Sequence, residues 1–212
     1  MQVKKYLVLV VLFILPIVAY LFFASGVTNF GKLSVLSKGV SDVVHMDGDA
    51  SFKDNITVVG FLGNHPDNKN GNAFNLNQKI YKRFYQFKDF QFVMVMPKGT
   101  EEKAADLKKE LGLLVDMKKW NFVFGDEQQI RDFFGSLDTD LQLESDLSTP
   151  YAFVIDKELN LRGRTEDGEE ATLYGFDATS VSELNNKMVD DVKIILAEYR
   201  MALKKNSANR QK

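Results

Sequence analysis

Hydrophobic positions along the chain fall into three regimes. The first is continuous: Tyr6 to Ala24 (YLVLVVLFILPIVAYLFFA) runs nineteen residues without a charge, behind Lys4 and Lys5. At ~1.5 Å per residue an apolar helix of that length covers close to the ~30 Å hydrocarbon core, whereas the apolar stretch of a cleavable signal is usually about 7–15 residues. The run therefore predicts a transmembrane anchor at 6–24, with Pro16 tolerated inside it. Cleavage near Ala24-Ser25-Gly26 is the competing reading. With Lys4 and Lys5 the only charges before the span, the positive-inside tendency puts residues 1–5 in the cytoplasm and the rest outside it, in a periplasm-like compartment. The anchor's partner is the lipid bilayer.

The second regime is β-like. Asn55 to Leu62 (NITVVGFL) and Phe90 to Met96 (FQFVMVM, stopped by Pro97) are nearly unbroken apolar runs, as expected of strands buried on both faces. Trp120 to Phe124 is a third strand, and Tyr151 to Asp156 with Leu159 to Gly163 reads as a hairpin turning at Lys157-Glu158. The third regime is helical. Leu76, Ile80, Phe84 and Phe87 stripe the segment 73–87; Ala104, Leu107 and Leu111 stripe 100–111, stopped by Gly112. Asp126 and Gln129 have capping-box spacing ahead of Ile130, Phe133 and Phe134. Ser180 and Glu183 repeat it ahead of a closing helix carrying Leu184, Met188, Val192, Ile195 and Tyr199. The order βα, βα, βα, ββ, α predicts an α/β fold, a central mixed sheet flanked by helices. Residues 25–40 read as a stalk, 41–204 as the domain and 205–212 as a disordered polar tail.

Composition sharpens this picture by exclusion. The 212 residues are 45% hydrophobic and 26% charged, with no cysteine. A disulfide, a thiolate nucleophile, a Cys-ligated metal and a dithiol couple are all ruled out. Formal charge is −2, and Lys4 and Lys5 account for two of the 27 basic residues, so the part beyond the span is about −4; a nucleic-acid partner is not expected. No Gly-rich phosphate loop follows a strand and no nucleophile elbow is present. Of the seventeen phenylalanines, Phe13, Phe22 and Phe23 sit in the anchor and most others fall at core spacing, where they pack.

Three stretches carry a resemblance: Phe61-Leu62-Gly63-Asn64-His65-Pro66-Asp67 after the first strand, Trp120-Asn121-Phe122-Val123-Phe124-Gly125-Asp126 with Ile130, and Tyr151 to Leu161 (YAFVIDKELNL). Over roughly residues 42–199 the sequence resembles the SCO/SenC proteins, membrane-anchored thioredoxin-like copper chaperones of cytochrome c oxidase assembly. The resemblance implies a thioredoxin-like fold, a periplasmic domain and partners among cytochrome oxidase assembly components. It also locates what is missing. The family's Cys-x-x-x-Cys pair falls on His65 and Lys69, and its ligand histidine has no counterpart in Asp146-Leu147-Ser148-Thr149-Pro150. Without two thiolates and an imidazole, the ligand set that favours copper(I) is lost.

The chemistry left open is modest. His65, flanked by Asn64, Asp67 and Asn68, and His45, in Val44-His45-Met46-Asp47, are candidate ligands for copper or another metal; a solvated His-Pro-Asp turn is the simpler account of His65 and needs no ligand. The Asn/Asp/Gly-rich stretch 64–75 raises calcium but lacks the EF-hand pattern. Lys69 would need burial to act as a nucleophile or base. Met94, Met96 and Met188 read as core filler, and Asp138, Asp140, Glu144 and Asp146 as a solvated acidic segment or a partner surface. Pro150 stands where thioredoxin-like folds place a cis proline facing the active-site loop, so His65, Pro66, Asp67, Lys69, Thr149 and Pro150 form a candidate partner-binding loop. The expected protein is not an enzyme but a redox-inactive binding or assembly factor for a respiratory or envelope membrane complex; metal handling through His65 and His45 is the alternative.

Overall fold

The computed structural model describes residues 11–18, 20, 32–66, 70–166 and 172–209. The chain divides into two units, residues 1–31 and residues 32–212. In the first, residues 11–18 are helical with exposed side chains; the rest of the predicted span lies outside the described residues, apart from Tyr20. No helix among the described residues is long and apolar enough to cross a membrane.

The second unit is built on one sheet. Its strands are β1 (Ser34–Lys38), β2 (Ile56–Phe61), β3 (Phe90–Pro97), β4 (Trp120–Gly125), β5 (Tyr151–Ile155), β6 (Asn160–Gly163) and β7 (Phe176–Asp177), in the order β1-β6-β5-β2-β3-β4, with β7 paired to β5. β2, β3 and β4 run parallel, as their helical crossovers require; β5 is antiparallel to β2 and turns directly into β6. Every residue of β2 and β3 is buried. Their side chains alternate between two cores: Val58, Phe92, Met94 and Met96 on one face, Val59, Phe61, Val93 and Val95 on the other. Met94 and Met96 are therefore core residues, and the unbroken apolar runs reflect helices on both faces.

Helix α1 runs Asn70–Leu76, continues through a π-helical turn at Asn77–Tyr81 and ends with Lys82–Phe84. It packs with α2 (Glu101–Gly112) and the closing helix α4 on the first core; α3 (Glu127–Ser136) covers the second. α4 comprises Val181–Glu183, a π-helical turn at Leu184–Met188, and Val189–Asn209. Asp126 and Gln129 form the predicted capping box of α3, with Gln129 N–H 2.8 Å from Asp126 Oδ1 and Asp126 N–H 2.9 Å from Gln129 Oε1. At α4 the box is only half made. Ser180 Oγ accepts from Glu183 N–H, but the Glu183 carboxylate accepts from Asp177 N–H at 2.8 Å, tying β7 to the helix start.

Two boundaries move. The expected stalk contains β1, antiparallel to β6 with a bulge between Val35 and Ser37, so the body begins at Lys32 rather than residue 41. The expected tail is helical as far as Asn209, an extension of α4; 210–212 lie outside the described residues.

β1 is fastened by charge as well as by backbone pairing. The carbonyl of Leu33 accepts from Arg162 Nε at 3.1 Å and Nη2 at 2.6 Å, while the same guanidinium meets Asp156 and Glu198. Burial opposes the charge of Arg162, but its hydrogen bonds to Asp156 and Glu198 outweigh that and hold its pKa above the ordinary arginine value. At the opposite edge, a strap reaches β4: Asp47 N–H donates to Phe124 O and Phe124 N–H to Asp47 O, both at 2.9 Å.

Candidate functional site

The loop leaving β2 is positioned by backbone geometry. Leu62 pairs with Ser148 in an antiparallel bridge, Thr149 N–H donates to Phe61 O at 3.2 Å, and Asn64 N–H donates to Asp146 O at 3.1 Å. Between them Gly63 has φ +67°, and a Cβ there would stand 2.7 Å from Asp146 O and 2.8 Å from Ser148 Cβ. Only glycine fits both the left-handed backbone and the space. The segment before β5 and the loop after β2 are thus in contact.

Within this arrangement His65 is exposed and Pro66 buried, while Asp67 and Lys69 lie outside the described residues. Lys103 Nζ donates to Asn64 O at 2.9 Å, a tie from α2. Thr149 is buried and Pro150 half-buried, with Pro150 O accepting from Ala178 N–H at 2.9 Å. The Thr149–Pro150 bond, whose geometry the sequence leaves open, is trans. The Leu62–Ser148 bridge holds the two segments together.

The acidic segment is not simply solvated. Asp146 Oδ1 accepts from Ser148 Oγ at 2.6 Å and Ser148 N–H at 3.1 Å, and Glu144 N–H donates to Ser148 O at 2.7 Å. Asp146 thus shapes the turn that meets Gly63. Asp138 and Asp140 remain exposed.

The two histidines are not brought together. His45 is exposed on the strap beside β4, in a cleft of about 200 Å³ with Met46, Gln129 and Asp132, and its carbonyl accepts from Gln129 Nε2 at 2.9 Å. His65 follows β2, and β3 lies between the two strands. No group of three His, Asp or Glu side chains is placed to hold a metal ion among the described residues.

A second cleft, of about 500 Å³, opens at Tyr151, the residue after Pro150. Asp140 and Leu141 line one side, Leu173 and Tyr174 the other, with Tyr151 at the start of β5. The sequence gives no hint of it, since the wall at 172–175 leads into a strand of only two residues.

No family model matches this sequence, and no curated protein matches it. Among solved structures, the chain is similar to BsSco, described as a member of the Sco family of cytochrome c oxidase assembly proteins, at 11% identity over 78% of this chain and 97% of that one, with a TM-score of 0.51. It is similar in the same way to a SCO1/SenC family lipoprotein from Bacillus anthracis, at 14% identity over 78% and 98% of the two chains and a TM-score of 0.51. The chain shares the fold of these two proteins. The likeness lies in the fold, and the sequence placed it correctly. In this chain the loop after β2 carries His65, and the sequence has no cysteine.

Proposed function

We propose that this chain is a membrane-anchored, extracytoplasmic, redox-inactive member of the SCO/SenC type, acting as a binding or assembly factor for a respiratory or envelope membrane complex. The carrying observation is that the loop after β2 keeps its fixed seat against the 146–150 segment although the chain has no thiol for it to present. A loop held by three backbone contacts and a required glycine, with His65 exposed at its tip, suits docking rather than electron transfer. The anchor at 6–24 supplies localisation. The partner is accordingly a protein of the same membrane, and the structural relatives in cytochrome c oxidase assembly make oxidase assembly components the first to test.

The experiment is site-specific photocrosslinking in native membranes from positions 64 and 65, with Leu113, exposed at the other end of the sheet, as control. Crosslinks to a membrane-complex protein from the loop positions and none from Leu113 are expected. Equal yields from both ends, or release of the protein from membranes by alkaline carbonate, would overturn the reading.

A further inference from the structure

The cleft at Tyr151 has a chemistry of its own. Among the described residues, the carboxylate of Asp140 and the hydroxyls of Tyr151 and Tyr174 have no hydrogen-bond partner, yet all three residues line the same space. Leu141 and Leu173 supply apolar walls. At about 500 Å³ the cleft is within the ordinary size of a ligand site, ~300–1,000 Å³. No cation lines it among the described residues; Arg131, which lines a neighbouring depression with Leu141, is engaged by Glu127 at 2.8 Å. The surroundings add negative charge, since Asp138 and Glu144 lie on the segment that supplies one wall and Glu166 precedes the other.

A carboxylate and two phenolic oxygens all accept hydrogen bonds, and tyrosine faces attract cations. The matching group is donor-rich, positively charged and flat. A guanidinium has five N–H donors in a plane and is less strongly hydrated than an ammonium, so arginine fits where lysine fits less well. We propose that this cleft receives an arginine side chain from an extended segment of the partner protein, next to the docking loop. The inference rests on the proposed docking role and names the chemistry that the partner presents.

The full chain in a neutral detergent is titrated calorimetrically with blocked penta-arginine, penta-lysine and penta-glutamate. Penta-arginine binds saturably and about tenfold more tightly than penta-lysine, reflecting planar donors over a point charge. Its affinity falls about tenfold or more between ~50 and ~500 mM salt. Asp140→Asn and Tyr174→Phe, both conservative and checked for folding by circular dichroism, each weaken binding about fivefold or more by removing one acceptor. Leu113→Ala, exposed at the other end of the sheet, leaves it unchanged. Equal affinity for penta-lysine, unaltered binding in both cleft variants, loss in Leu113→Ala, or no saturable binding of penta-arginine at ~1 mM overturns the assignment. If the chain dimerises and both Asp140→Asn and deletion of 204–212, which carries Lys204, Lys205, Arg210 and Lys212, abolish the dimer, the occupant is a second copy and the partner-protein assignment falls. Crosslinking that disappears while peptide binding persists sinks the docking role alone; the converse sinks the cleft alone.

Discussion

Arg162 Nη1 donates to Asp156 Oδ2 across 3.0 Å, with the two side chains only 4% and 1% exposed. Asp156 also accepts from the backbone N–H groups of Glu158 and Asn160, so one carboxylate organises the β5–β6 turn and balances the charge that holds Leu33. Truncating one member of such a pair strands the other without its counter-charge. Arg162→Met is expected to lower stability by about 3–5 kcal/mol in urea unfolding, because Asp156 stays buried. It also frees the Leu33 carbonyl, so proteolysis should begin in residues 32–38. A loss below ~1 kcal/mol would show the network to be replaceable by packing.

Gly63→Ala forces a side chain into the space of Asp146 O and Ser148 Cβ on a left-handed backbone. The conformational cost alone is about 1–2 kcal/mol. The thermal midpoint should fall, and photocrosslinking from position 65 should fall with it as the loop leaves its seat. His65→Ala, at an exposed position, should change stability by no more than about 0.5 kcal/mol, which separates loop geometry from side-chain contact.

Alkaline stability should depend on Tyr81. Its hydroxyl donates to Asp116 O at 2.9 Å and accepts from Lys119 N–H at 3.0 Å. Burial raises its pKa; the Lys119 hydrogen bond works the other way without cancelling the rise. The folded protein therefore keeps this proton at a pH where the unfolded chain releases it. That contribution is complete below the unfolded phenol value of ~10 and is lost as pH climbs past it. Tyr81→Phe should cost about 1–3 kcal/mol near neutrality, by leaving two backbone groups unpaired, and should make the decline above pH ~10 shallower. An equally steep decline in the variant would assign the alkaline transition to another group, such as Tyr199, whose pKa is also raised by burial and by its hydrogen bond to Glu158.

Asp126→Ala removes the N-cap of α3, and a loss of about 0.5–2 kcal/mol is expected in denaturant titration. The effect should extend beyond the helix. Gln129, the reciprocal member of the box, also donates to the His45 carbonyl, so amide exchange across 45–48 should speed up in the same variant.

What could be read in advance was whatever the chain declares locally. β2 and β3 declare themselves because burial on both faces removes polar residues, and α3 because Asp126 and Gln129 carry its capping signal in four residues. β1 does not. Its only buried residue is Ser37, and its pairing partner lies about 125 residues further along, so no window of sequence contains the reason for it to be a strand. The same holds for the site. The place of the β2 loop followed from a resemblance anchored on residues 61–67, but Asp146 turning inward to Ser148, the trans Thr149–Pro150 bond and the cleft between Leu141 and Leu173 depend on segments that meet only in three dimensions. Asp156 and Arg162 read as turn and strand polar residues, and nothing nearby in sequence announces Glu198.

The strap at Asp47 has a consequence for the protein's solubility. β4 ends the sheet, and an open row of N–H and C=O groups there would invite another strand. Asp47 occupies both backbone groups of Phe124, and Gly48 lies so close to Phe122 O that a Cβ would stand 2.8 Å from it. At the far margin, β1 is short, bulged and bears Lys38. Neither margin presents a flat run to a neighbouring molecule, so a sheet of seven strands can stand crowded among copies of itself without growing into its neighbours.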